Sequence, residues 1–415
     1  MSQATAAVRQ YLLITGNYWA FTLTDGALRM LVVLYFNALG YGPLAIAMLF
    51  LFYEFFGVVT NLVGGWLGAR IGLNRTMNIG LGLQVVALLM LLVPSAWLSV
   101  AWVMAAQALS GIAKDLNKMS AKSAVKTLLP QAQQGQSQDS VLFRYIALLT
   151  GSKNALKGIG FFVGGALLTL IGFQGAVLAL AAMLLLVWLG SLWLLTSELG
   201  KAKHKPKFRD IFSKSRAVNI LSAARLCLFA ARDVWFVVAL PVYLADQFGW
   251  DHWAVGGFLA SWIIAYGIVQ TVAPNITGAR GSKTSVPGRG AAIFWVMLLM
   301  LVPAVMALGL AAGWSSQWTV IGGLLLFGVV FAVNSSLHSF LIVHYASDDG
   351  VSLDVGFYYM ANAAGRLLGT VFSGWLFQQA GLTACLWASS LLLLFTWLIS
   401  FALPANNAAT HRTGC

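Results

Sequence analysis

Twelve apolar runs, each 18 residues or longer, follow one another along this chain of 415 residues. Within the hydrocarbon of a bilayer no water meets a backbone N–H or C=O, so only α-helices and closed barrels can span it. Runs of this length suit helices, which need about 20 residues to cross a hydrocarbon core of about 30 Å. They predict helices over 11–39, 44–68, 76–93, 97–118, 141–170, 173–195, 218–245, 252–275, 291–312, 318–345, 354–378 and 383–403. With 60% hydrophobic and 9% charged residues, the composition lies outside the soluble globular range. The expected fold class is an all-α polytopic membrane protein with twelve transmembrane helices.

Charge in the loops predicts orientation. Eight of the 25 Lys and Arg residues lie deep within the runs; the other seventeen, from Arg9 to Arg412, fall on or near the side shared by both termini. The opposite loops carry Asp246 and Asp251. Basic loops stay in the cytoplasm, so both termini are expected there. Met1 to Gln10 carry one charge and no small-residue cleavage site, so the first run reads as a retained helix. The formal charge of +13 is absorbed by orientation and cavity lining, and nucleic acid is not an expected partner. Cys227, Cys385 and Cys415 lack metal-ligand spacing, which argues against zinc sites and disulfide staples. The sequence has no nucleophile elbow, zinc-protease helix or Walker-type glycine loop, so neither an enzyme nor a cofactor is expected. Transport then draws on an ion gradient or on the cargo's own gradient.

The longest charged interruption, from Leu199 to Arg216, divides the helices into two sets of six. The expected domains are an N-terminal bundle (1–198), a linker (199–217), a C-terminal bundle (218–404) and a tail (405–415). Phe208, Ile211 and Phe212 are expected to form a short amphipathic turn on the membrane surface. An internal repeat supports the division. KGIGFFVGGALLTLIGFQGA from Lys157 recurs as RLLGTVFSGWLFQQAGLTA from Arg366, aligning Gly160, Gly165 and Gly172 with Gly369, Gly374 and Gly381. Gly68, Ala69 and Arg70 match Gly278, Ala279 and Arg280, and Asp25 falls near Asp233 in the same register. Two related halves around a central site are the expected result.

The eight cations within the runs are Arg29, Lys114, Lys118, Lys153, Lys157, Arg225, Arg232 and Arg366, against the acids Asp25, Glu54, Asp115 and Asp233. Charges at membrane depth are costly and mark cavities and transport paths, and this excess of positive charge points to an anionic cargo. Lys153 and Lys157 are one turn apart and share a face; Arg366 is the repeat mate of Lys157, and its guanidinium fork suits a bidentate oxyanion. Lys153, Lys157, Arg366, Arg232, Arg225, Lys114 and Arg29 are the candidate substrate contacts. The competing structural readings pair Lys153 and Lys157 with Asp25 or Glu54, Arg366 with Asp233, and Arg29 with Asp25 four residues away. Lys122 and Lys126 read as headgroup anchors. Glu54, a lone mid-helix acid among aromatics, is the leading candidate for proton coupling, followed by Asp25 and Asp233; the competing structural reading pairs Glu54 with Arg29 or a lysine. His338 and His344 are badly spaced for a metal, and Asp348, Asp349 and Asp354 read as a solvated face.

The two-fold repeat and GWLGARIGLNR, with Gly65, Leu67, Arg70 and Gly72 in place and Ala69 where an acid is usual, resemble the major facilitator superfamily. The strings NYWAFTLTDGALRMLVVL, LSGIAKDLNKMSAKSAVK, LTGSKNALKG and KPKFRDIFSKSRAVNILSAARL closely resemble the bacterial organoarsenical efflux permeases. That resemblance implies export of 1-arseno-3-phosphoglycerate, formed when glyceraldehyde-3-phosphate dehydrogenase uses arsenate in place of phosphate. It further implies arsenate resistance, location in the bacterial cytoplasmic membrane, and the dehydrogenase as a pathway partner. The residues alone leave open a facilitator for sugar phosphates or another organic anion.

Overall fold

The computed structural model describes residues 3–41, 49–94, 97–128, 137–195, 199–203, 206–212, 215–278 and 287–405. Regular structure among them is helical throughout. The first four helices are α1 (Gln3–Ala38), α2 (Leu51–Ile71), α3 (Leu73–Met90) and α4 (Val100–Leu128). The 57-residue segment Gln138–Leu194 is long enough to cross twice, and it breaks at Gly172 into α5 (138–171) and α6 (173–194). Helix α7 (Arg216–Phe236) continues its span through Ala239–Phe248. Then come α8 (His252–Ile276), α9 (Arg289–Ala311) and α10 (Ser316–Tyr345). The segment Val351–Ser400 breaks at Gly381 into α11 (351–380) and α12 (382–400). These twelve helices realise the expected fold class, a multi-pass membrane protein of two six-helix bundles.

The internal repeat has a backbone counterpart. Gly172 and Gly381 hold φ of 70° and 72°, a region that costs any residue with a Cβ, and each reverses the chain at the same place in its half. Gly160 packs against the backbone of Leu23 and Ala27 on α1, while Gly369 packs against that of Ala230 on α7; a Cβ would collide at either site. Small residues allow such close helix approach where lipid supplies no hydrophobic drive. Ala279 and Arg280, the repeat mates of Ala69 and Arg70, lie outside the described residues.

Two boundaries depart from the sequence reading. Helix α4 continues through its lysine-rich end to Leu128, because Lys and Ala favour helix and Ala121, Lys122, Ser123 and Ala124 are buried there rather than exposed. The loop between α2 and α3 shrinks to Gly72, at φ 98°. The segment joining the two halves packs on this turn. The Leu199 carbonyl accepts from Leu73 N at 2.8 Å, Ala202 N donates to the Ala69 carbonyl at 2.8 Å, and Lys203 N donates to Asp349 at 2.8 Å. Asp349 and Asp348, which pairs with Lys126, therefore work in contacts instead of forming a purely solvated face. Phe208–Ile211 is a single 3₁₀ turn with Phe208 and Phe212 exposed, but their rings also lean on Trp66 and Phe357.

On this linker side the halves form one core, in which Leu337, Phe340, Val351, Val355 and Tyr358 join residues of α1 to α6. Farther from the linker, Leu228, Trp235, Trp262 and Phe327 belong to a separate core within the second half. Backbone contacts of Gly65 with Ser352 and of Gly151 with Gly267 bring α2 onto α11 and α5 onto α8, and His344 meets Asp139 at 3.0 Å. The bundle is closed on the linker side. Gly65→Val is expected to wedge α2 from α11; a Ser352→Cys probe in everted vesicles, otherwise shielded, should then react with an impermeant thiol reagent several times faster.

Candidate functional site

The interior charges gather above that closure as a chain running between the halves. Arg29 of α1 bonds Glu54 of α2 at 2.8 Å, and Arg366 of α11 reaches the same Glu54 oxygen at 3.2 Å. Arg366 also meets Asp233 of α7 at 3.2 Å, and Asp233 holds Arg232 at 2.5 Å. Cation and acid alternate from Arg29 to Arg232, and the link between Glu54 and Arg366 crosses from one bundle to the other. Helix spacing builds this line: α1 and α2 present their charges to one interior, while Arg232 and Asp233 adjoin on α7.

Two smaller groups flank the chain. Asp25 accepts from Tyr53 at 2.7 Å and faces Lys157 at 3.5 Å. Asp115 holds Lys118 at 2.5 Å and Lys114 at 3.7 Å. The Tyr53 ring lies under both Lys114 and Arg29, at 3.8 and 4.2 Å, and Phe229 lies under Arg225 and Arg232 at 3.9 and 4.8 Å. Aromatic faces stabilise a desolvated cation by about 2 kcal/mol, which helps eight cations share an interior with four acids. Side-chain exposures of 23% at Arg29, 27% at Glu54 and 32% at Arg366 open this chain to a polar space within the bundle. An apolar groove of about 600 Å³ between α9 and α10, lined by Leu301, Val305 and Trp318, lies on the membrane-facing surface and offers no charge to an ionic cargo.

A family model described as Major Facilitator Superfamily matches residues 14–307. The chain belongs to the Major Facilitator Superfamily. Three solved facilitator-like structures cover nearly all of it. A bacterial homologue of the iron transporter ferroportin in an outward-facing state is 14% identical, with a TM-score of 0.72 over 94% of this chain and 98% of its own. The human organic anion transporter MFSD10 is 18% identical, with a TM-score of 0.70 over 96% and 100%. The E. coli fucose:proton symporter is 11% identical, with a TM-score of 0.72 over 96% and 100%. At these identities the likeness is one of fold. No curated protein matches. As a member of this superfamily the chain is a membrane transporter and not an enzyme.

Set in this facilitator, the candidate residues sort as follows. Arg29, Arg232, Arg366, Glu54 and Asp233 form the chain; Lys157 and Asp25 adjoin it through Tyr53; Lys114 shares the Tyr53 face. Arg225 stands apart, bonded to Asn362 at 2.8 Å, and Lys153 bonds Asn154 at 3.1 Å. Several readings change. Asp25 and Arg29 find their bonded partners on other helices, since the turn directs each toward a different neighbour. Glu54 takes the competing structural pairing with Arg29, and Arg366 converges on it too. Lys122 is no headgroup anchor: it is 3% exposed and donates to Thr150 at 2.7 Å. Lys126 reaches the Ala346 carbonyl and Asp348, bracing the linker-side closure. Tyr53, Tyr358, Tyr359 and Asn362 were not singled out in sequence; polar tips in otherwise apolar runs were the available signal.

Arg366 shares its charge between Glu54 and Asp233, so removing either acid should leave the other to compensate. In a double-mutant cycle of Glu54→Gln and Asp233→Asn, thermal stability in detergent is expected to be non-additive by about 1 kcal/mol or more. Additive losses would mean that Arg366 does not couple them.

Proposed function

We propose that this facilitator exports an anionic organoarsenical, 1-arseno-3-phosphoglycerate, from the cytoplasm by alternating access and thereby confers arsenate resistance. The observation that carries the reading is the interior chain of cations between the bundles, with Lys157 and Lys114 beside it. An oxyanion ester suits this surface because guanidinium and ammonium donors bind it in charge-assisted pairs. The sequence resemblance to organoarsenical permeases supports the arsenate ester over other anions. A sugar phosphate would meet the same cations, and that facilitator reading is the alternative.

In this mechanism the cargo enters between the halves from the linker side, taken as cytoplasmic, and competes with Glu54 and Asp233 for Arg366 and its neighbours. Displacing Glu54 removes the ion pair that ties α2 to α11, so cargo binding acts on the contact joining the bundles. Freed from its guanidinium partners, Glu54 is available to carry a proton in exchange, with Asp25 and Asp233 in the same role. The driving force is a proton gradient, and the protein works as an antiporter in the bacterial cytoplasmic membrane with both termini inside. Glyceraldehyde-3-phosphate dehydrogenase supplies the cargo as a pathway partner.

Lys157→Ala and Arg366→Ala are each expected to abolish arsenate resistance in cells while the protein still inserts, because each removes a cation facing the cargo. Normal resistance in both variants at wild-type abundance would remove the basis for the assignment. Glu54→Gln is expected to eliminate transport driven by a pH gradient and to preserve counterflow of bound substrate. Loss of both activities would place Glu54 in binding or folding.

A further inference from the structure

Closer to the linker than the charge chain, three cations sit together with no acid bonded to them among the described residues. Lys122 of α4 donates to Thr150, Lys153 of α5 to Asn154, and Arg225 of α7 to Asn362 and, at 3.4 Å, to the Ser335 carbonyl. All these acceptors are neutral. The Tyr359 ring lies 5.2 Å from Lys122, the Tyr358 ring 5.2 Å from Arg225, and the two rings touch at 5.0 Å between centroids, which joins both cations to one chamber. Lys153 follows Thr150 by one turn on the same face of α5.

The chamber also holds polar groups that could donate and lack an acceptor. The Tyr358 hydroxyl and both ring nitrogens of His338 are buried without a partner, and the Tyr359 hydroxyl faces only Ser339. His338 is fully buried and lies one turn from Ser335 on α10, on the face that meets Arg225. Buried polar groups are normally paired, and each orphan asks what it awaits. Here each hydroxyl and one nitrogen of the imidazole can donate, the charge is wholly positive, and the groups arrive from α4, α5, α7, α10 and α11. Donors that surround a point suit a tetrahedral oxyanion better than a planar carboxylate, which is gripped from one edge.

Position adds to the case. Lys122 lies two turns nearer the linker than Lys114, Arg225 seven residues nearer than Arg232, and Tyr359 seven nearer than Arg366. At about 1.5 Å per residue the chamber sits about 10 Å below the charge chain, just above the closure made by Lys126, Phe143 and Phe340. We infer that the chamber of Lys122, Lys153 and Arg225 is a second anion subsite, which takes one tetrahedral oxyanion head of a two-headed cargo while Lys157 and Arg366 take the other. The assignment of the two heads rests on the transport reading above; the anion subsite itself rests on the chamber.

Equilibrium dialysis of inorganic phosphate against the detergent-purified full chain tests it. Lys157→Gln/Arg366→Gln, which removes the two upper cations assigned to the other head, is expected to keep a phosphate site. Adding Lys122→Gln or Arg225→Gln should weaken that site at least about tenfold, and Lys122→Arg should retain it. Tyr359→Phe removes a donor without touching charge, so it keeps the test sound if the glutamine variants unfold; a severalfold loss is expected. Undiminished binding in folded Lys122→Gln, Arg225→Gln and Tyr359→Phe proteins overturns the proposal, as does absence of phosphate binding in folded Lys157→Gln/Arg366→Gln. Arsenic uptake by everted vesicles separates the two claims. Phosphate held in the chamber with no arsenic ester transport sustains the subsite and rejects the transport reading; ester transport indifferent to Lys122→Gln and Arg225→Gln rejects the subsite alone.

Discussion

Glu54 accepts two guanidinium groups from opposite bundles, and much of the interior is arranged around that shared acid. A helical membrane protein can bury a charge only beside a partner, an aromatic face or water. With eight cations and four acids deep within the apolar runs, one-to-one pairing is impossible. Glu54, Asp233 and Asp115 therefore each serve two cations, the Tyr53 and Tyr359 rings lie under Lys114 and Lys118 as well, and Phe229 supplies a ring face for Arg225. The arrangement is short of negative charge, which is the condition in which an arriving anion gains most.

On the proposed function, the same pair makes binding a mechanical event. Closure on the linker side rests on small residues, Gly65 against Ser352 and Gly151 against Gly267, where backbones meet without intervening side chains. Above that closure, the Glu54 to Arg366 link is a bond between the halves, and on the proposed function it is the bond that an anionic cargo competes for. Packing keeps the halves together on one side, while electrostatics sets whether they remain joined higher up. A switch between two accesses needs both kinds of contact to be finite and separable, and the continuous linker-side core beside a separate second-half core shows that separation.

Most of the fold was legible in the sequence because hydrocarbon imposes one structural answer on each long apolar run. The repeat was equally readable: Gly172 and Gly381 were aligned by sequence and prove to be matching left-handed breaks. The charged residues were legible as a group but not as pairs. Four-residue spacing suggested that Asp25 would hold Arg29, yet Asp25 turns to Tyr53 and Lys157, because partner choice depends on which helices pack together and spacing within one helix does not record that. Lys122 misled for a related reason. A lysine stripe near a helix end normally marks the headgroup layer, but α4 stays buried there against Thr150 and Tyr359.

The most direct measurement of the central claim is arsenic accumulation in everted vesicles that contain the protein. The account predicts uptake only when arsenate is supplied with glyceraldehyde-3-phosphate dehydrogenase, glyceraldehyde 3-phosphate and cofactor together, and loss of that uptake in vesicles carrying Arg366→Ala. Accumulation from arsenate alone, or none from the complete mixture with the protein correctly inserted, would contradict it.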